Sequence, residues 1–228
     1  MKKYWVLILV VGLTAGCQKK HPIKVEIDPV MRDGSVQKIA VFPFATAVHH
    51  TDDPDGEAPR MMDLLFRHEL DTRDDYQFVS PSSVEYALQG EGLMDQAGEF
   101  VDNWRNHGQV DREFLKQLSV VLQADAVLIG VVDLWQKDEI DYRETAAPAT
   151  YVGATVTILR LSDGMRLFEA SDEDFLEGAY SEAADRGARR SGSGAVQSDR
   201  AASVYKAPEY KEVALKVVRA LALSIPGR

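Results

Sequence analysis

Residue types able to do chemistry are sparse in this chain, and most are poorly spaced for it. The 228 residues include one cysteine, Cys17, so no intrachain disulfide can form. His49, His50, Asp52, Asp53, Asp55 and Glu57 crowd into one acidic stretch, and Asp53-Pro54-Asp55-Gly56-Glu57 faintly resembles a calcium loop. Such a loop needs oxygen ligands in regular alternation and a terminal Glu at a fixed distance. This stretch has neither, so a solvated acidic loop is expected. His68 and His107 fall on helical segments, where surface or boundary positions are expected. Asp172-Glu173-Asp174 is a charge run that a solvated strand end explains better than acid–base catalysis. Trp104 and Trp135 are of the type that stacks on sugars, but packing is the expected role. No phosphate-binding loop, dinucleotide-binding glycine pattern, nucleophile-elbow serine or zinc spacing is present. The reading is a protein that is not an enzyme, with no catalytic, cofactor-binding or metal-binding residues.

Cys17 is the exception, because its neighbourhood is specific. Lys2 and Lys3 precede an unbroken apolar run from Tyr4 to Leu13. A membrane-spanning helix needs roughly 20 apolar residues, about twice that length, whereas a secretory signal fits. The run closes on Leu13-Thr14-Ala15-Gly16-Cys17. Small residues at 15 and 16 suit a peptidase site that tolerates little bulk, and the thiol can carry a thioether-linked diacylglycerol. The segment resembles the lipobox of bacterial lipoproteins, with Thr14 where Leu is usual. The resemblance implies cleavage before Cys17 and lipidation of Cys17. Gln18 stands where Asp would retain the protein at the inner membrane, so the resemblance implies the periplasmic face of the outer membrane.

Charge narrows the partners. Lys and Arg number 26 against 36 Asp and Glu, and loss of the two lysines in residues 1–16 takes the balance from −10 to −12. So acidic a chain has no electrostatic footprint for nucleic acid. Anionic lipid would repel it as well, which leaves the acyl chains as its hold on a membrane.

The elements that must position any site follow from periodicity. Residues 1–16 read as the signal peptide and 17–36 as a lipidated tether, with room for a short strand at Ile23 to Ile27. Residues 37–225 read as one periplasmic domain. Lys38 to Phe44 is a buried-strand run that Pro43 must end or push to an edge. Pro59 opens a helix on which Met61, Met62, Leu65, Phe66 and Leu70 share a face and Asp63 faces Arg67. Tyr76 to Val79 is a strand, and Ser82 with Glu85 matches a capping box. Helices follow at Leu93–Asn106 and Val110–Leu122. Ala126–Trp135, Ala149–Leu161 and Met165–Ala170 are strands, the last two joined by the turn Ser162-Asp163-Gly164. Residues 181–203, rich in Ser, Gly, Ala and Arg, read as a disordered loop. From Pro208 to Ser224 a helix carries Tyr210, Val213, Val217 and Leu221 as a stripe. This order implies the α/β class: a small mixed sheet with packed helices, in a single domain.

The strand Lys38–Phe44, the segment Ala124-Asp125-Ala126-Val127-Leu128-Ile129-Gly130 and the Ser162-Asp163-Gly164 hairpin occur in an order that resembles a periplasmic α/β family. That family includes the N-terminal domain of TolB, the curli-secretion channel lipoprotein, the Pel polysaccharide-export lipoprotein and a peptidoglycan-synthase activator lipoprotein. The resemblance spans about residues 38–223. It implies a TolB-N-terminal-like fold and a non-catalytic envelope component, either an oligomeric assembly or export scaffold or a docking module that activates a cell-wall enzyme. The implied partners are a membrane, an envelope protein and further copies of the chain. A curli-type pore would insert hairpin strands of roughly 9–11 residues with an apolar lipid face. The candidate insertions, 133–149 and 176–207, show no such alternation, so a membrane-piercing channel is not expected.

Overall fold

The computed structural model describes residues 22–139, 147–178 and 207–227. The signal peptide, Cys17 and the segment 181–203 lie outside the described residues.

A seven-stranded mixed sheet forms the centre, with β1 (Lys24–Ile27), β2 (Lys38–Val41), β3 (Ala45–Thr46), β4 (Gln77–Val79), β5 (Ala126–Asp138), β6 (Ala149–Arg160) and β7 (Arg166–Glu177). In space the order is β1-β7-β6-β5-β2-β4, with β3 also paired to β5 beyond the end of β2. β2, β3 and β4 run parallel to their partners, while β1, β5, β6 and β7 pair antiparallel through β7 and β6. The helices are α1 (Glu57–Leu70), α2 (Pro81–Gly90), α3 (Met94–His107), α4 (Arg112–Leu122) and α5 (Tyr210–Ser224). They cover both faces, and the α/β class and single domain read from periodicity are what the chain adopts.

Strand alternation sorts the core into two layers. On one face α1 and α5 bury Met62, Leu65, Phe66, Val213, Val217 and Leu221 against Leu128, Val152, Val156 and Ile158. On the other, α2, α3 and α4 bury Leu88, Phe100, Phe114, Leu115 and Leu118 against Val127, Ile129 and Leu159. The α5 stripe is locked at both ends. Tyr210 stacks on Trp135 at 4.2 Å, and Arg73 donates to the carbonyls of Ala222 (2.5 Å) and Ile225 (3.0 Å).

The Ala124–Gly130 motif has a structural cause. The Asp125 carboxylate accepts from the backbone N–H groups of Gln37 (2.8 Å) and Lys38 (2.9 Å), pinning the start of β2 beside β5. Gly130 is a close approach: a Cβ there would stand 2.5 Å from the Phe44 ring. At the hairpin, Gly164 takes φ +75°. The Arg160 guanidinium holds the Asp163 carboxyl down to about 2 while Asp163 also accepts from Met165 N–H.

Several expectations are corrected. The domain begins before residue 37: residues 24–36 are not tether, because β1 pairs with β7 and Met31 and Val36 are 0% and 1% exposed. Pro29 to Arg32 form a 3-10 turn, and the Met31 carbonyl accepts from the Tyr76 hydroxyl at 2.9 Å. Helix α1 starts at Glu57, two residues ahead of Pro59. Asp63 does not pair with Arg67; it accepts from Phe44 N–H at 2.8 Å, and Arg67 approaches Asp71 instead. Ser80, not Ser82, caps α2, its hydroxyl accepting from Ser83 N–H. β7 runs to Glu177, seven residues past the expected Ala170.

Candidate docking face

Strands β5, β6 and β7 are 12 or 13 residues each, about 40 Å at the usual strand rise. Helices α2, α3 and α4 cover only part of that length. The strand side chains packed against them end at Val131 and Leu159. Beyond that point no helix among the described residues covers this face, whereas α5 continues along the opposite one.

This end of the sheet has a defined floor. On β6 the residues pointing to it are Tyr151, Gly153 and Thr155, between the α5-facing Val152, Ala154 and Val156. Their cross-strand neighbours on β7 are Phe175, Glu173 and Ser171. Tyr151 and Phe175 stack at 5.6 Å with planes 23° apart. On β5 the register slips between Val132 and Leu134, which makes Asp133 a bulge residue; bulges re-aim side chains. Asp133 turns to the Thr155 hydroxyl, accepting its proton at 2.6 Å. The sheet behind Asp133 strips away enough water to raise its pKa, against the lowering effect of the Thr155 hydrogen bond. Asp133 and Thr155, with Lys24, Leu134, Ser171 and Glu173, bound a recess of about 320 Å³. Gly153 keeps it open, since a Cβ there would meet Leu134 Cβ at 3.1 Å.

Chemically the recess offers one carboxylate bonded to a hydroxyl, a second carboxylate and an ammonium group, with the Tyr151–Phe175 pair one same-face step further along β6 and β7. Such a set can form hydrogen bonds, and the neighbouring rings can add stacking contact. Its chain origin matters: Lys24 belongs to β1, the first described strand.

The residues singled out from sequence scatter. Asp53 is 9% exposed, and its oxygens accept from Glu57 N–H (2.7 Å) and Ala58 N–H (3.0 Å). The acidic loop thus starts a helix, binding amides that the first turn leaves unpaired. Among the described residues no group of three or more His, Cys, Asp or Glu is arranged to hold a metal ion. His68 and His107 are exposed, on α1 and at the end of α3. Trp135 is 2% exposed under Tyr210, whereas Trp104 packs against the core on the other face. The two tryptophans share no surface. Asp172 is no solvated strand end: it is 5% exposed and lies on the α5 side of β7. The floor residues went unread because they are ordinary in type. The available signal was polar and aromatic alternation at 151, 153 and 155 inside a β-branched run.

No protein-family model matches the chain, and no curated protein matches it in sequence. Solved structures similar to it include the PelC dodecamer from Paraburkholderia phytofirmans, at 14% identity and TM-score 0.44 over 91% of this chain and 98% of that one. Lipoprotein GNA1162 from Neisseria meningitidis is similar at 16% identity and TM-score 0.41, covering 66% of this chain and 90% of that one. The C-terminal domain of LpoB from Salmonella enterica gives 17% identity and TM-score 0.33 over 64% and 87%.

Proposed function

We propose that this chain is a lipid-anchored component of the bacterial envelope that works by binding protein: a non-catalytic scaffold for assembly or export. Acyl chains on Cys17 hold it at the periplasmic face of the outer membrane. The observation that carries the reading is the shortness of the connection between the lipobox cysteine and the open sheet. Only residues 18–23 separate Cys17 from β1, a reach of about 20–25 Å when fully extended. β1 supplies Lys24 to the recess, so a lipid on Cys17 confines the docking face to a thin layer next to the bilayer. Confinement of this kind raises effective concentration and lets modest contacts suffice.

A second reading, regulatory docking onto a periplasmic cell-wall enzyme, is favoured by the same recess, which suits a single partner segment.

The test has two parts. Metabolic labelling with a palmitate analogue should mark the protein and leave Cys17→Ser unmarked; label retained in Cys17→Ser ends the anchoring reading. Photocrosslinkers placed at Tyr151 or Phe175 in intact cells should capture a discrete envelope protein, while one at Val120 on α4 should not. Capture of a second copy supports the scaffold, capture of a cell-wall enzyme supports the second reading, and equal capture from all three positions defeats both.

A further inference from the structure

Among the described residues β1 is one of the two edges of the sheet, with no strand on its outer side, and its backbone is oriented for a second strand. Asp28 N–H donates to the Leu167 carbonyl at 2.8 Å, and the β1–β7 register pairs Lys24 with Ser171 and Glu26 with Glu169. In an antiparallel ladder hydrogen-bonded pairs alternate with pairs that make none. Residues 24, 26 and 28 therefore spend their amides on β7, and those of Val25 and Ile27 point off the edge. The β6–β7 ladder agrees: Gly178 N–H donates to the Pro148 carbonyl, which assigns the even residues of β7 to β6 and its odd residues to β1. All four β1 residues are exposed, with Val25 and Ile27 each 37% exposed on the α5 side.

From this edge we infer that β1 is a self-complementary dimer strand, pairing antiparallel with β1 of a second copy about a two-fold axis at Val25. The segment Ile23-Lys24-Val25-Glu26-Ile27 dictates the partner and the register. Among the antiparallel registers that set outward-pointing residues opposite one another, three are centred inside the segment, on Lys24, Val25 or Glu26, and these overlap the strands most. Centring on Lys24 puts that lysine against its copy, and centring on Glu26 puts that glutamate against its copy; like charges directly opposite are unfavourable. Centring on Val25 sets Lys24 opposite the partner's Glu26, twice by symmetry. It also sets Ile23 opposite the partner's Ile27 and Val25 opposite its copy, which extends the apolar layer of the α1–α5 face across the axis. Glu26 already meets Arg166 at 3.1 Å, and Arg166 meets Glu169 at 2.6 Å, so the incoming lysine joins a carboxylate pair that holds one cation. An isologous contact of this kind closes as a dimer and removes an edge that folded proteins otherwise protect. It is strand addition with the chain as its own ligand.

This deepens the scaffold reading by naming a contact, yet it stands on the edge and the charge order rather than on lipidation. The experiment is sedimentation of the full-length protein in mild detergent over a dilution series. Wild type should dimerise. Lys24→Glu and Glu26→Lys should each weaken the dimer at least tenfold, since each sets like charges opposite. An equimolar mixture of those two variants should recover wild-type affinity, because the mixed pair restores both opposite-charge contacts. Val25→Pro should abolish the dimer with an unchanged circular dichroism spectrum, because that amide serves no bond to β7 and an edge strand tolerates proline. A wild type that stays monomeric, single variants that dimerise normally, or a mixture that fails to recover overturns the inference. An unlipidated protein that still dimerises through β1 would defeat only the anchoring reading, and a lipidated strict monomer would defeat only this one.

Discussion

Asp63→Asn should stabilise the protein at neutral pH, and the gain should vanish in acid. Asp63 sits on α1 and accepts from Phe44 N–H at 2.8 Å. Burial pushes its carboxyl from the ordinary 3.8 up to about 6, with Glu85 adding to the rise and the Phe44 hydrogen bond opposing it. A group whose folded pKa is raised holds its proton more tightly in the folded chain. Its stabilising contribution is full below 3.8 and is lost as pH climbs through about 6. A displacement of this size corresponds to about 3 kcal/mol, an upper figure because the side chain keeps some water. Asparagine retains an oxygen for Phe44 N–H and carries no charge to desolvate. The variant should exceed wild type by about 1–3 kcal/mol at pH 8, or several degrees in Tm at about 2–4 °C per kcal/mol, and match it near pH 4. Thermal and urea unfolding followed by circular dichroism at both pH values would measure the gap. A variant less stable than wild type at pH 8, or a gap that does not grow with pH, would refute the argument.

Gly130→Ala should cost about 1–3 kcal/mol by overpacking, because the new methyl would stand 2.5 Å from the Phe44 ring; denaturant midpoints should drop, and Phe44→Leu in the same chain should restore part of the loss. Asp53→Ala removes both acceptors for Glu57 N–H and Ala58 N–H and should cost about 0.5–2 kcal/mol, the usual range for losing a helix cap, with no change on adding calcium. Truncation before Pro208 removes α5, whose Val213, Val217, Val218 and Leu221 are fully buried. At about 1.5–3 kcal/mol per side chain, against a net stability of about 5–15 kcal/mol, the product should lack a cooperative melt and be digested by limited proteolysis.

What could be read in advance follows from where side chains meet apolar surroundings on both sides. β5 and β6 are buried on both faces for much of their length, so unbroken β-branched runs announced them. The α5 stripe was legible for the same reason, since one face is wholly buried. β1 was only half seen, because it buries little and alternates Lys and Glu with Val and Ile. Met31 has no periodic neighbours to mark it as core. At α2, serines at 80 and 82 both fit a cap; Pro81 decides, because it occupies the first helical position and leaves Ser80 as the cap. The bulge at Asp133 depends on how β5 meets β6, a relation between strands that neither segment encodes alone. The recess inherits that opacity: its floor comes from β1, β5, β6 and β7, and only their register brings Lys24, Asp133, Thr155 and Glu173 together.

The way β1 joins the sheet also governs how the chain can fold. Glu26 meets Arg166, Glu69 meets Arg219 and Arg73 meets Ile225 across 140, 150 and 152 residues respectively. Each of these contacts requires a long loop to close before it stabilises anything, a step that slows folding. A chain emerging amino end first has β1, β2 and α1 in hand long before β7 and α5 exist to cover them. The side of Met62 and Phe66 that α5 covers stays open until that helix has been made, leaving an interval in which the nascent chain exposes apolar surface.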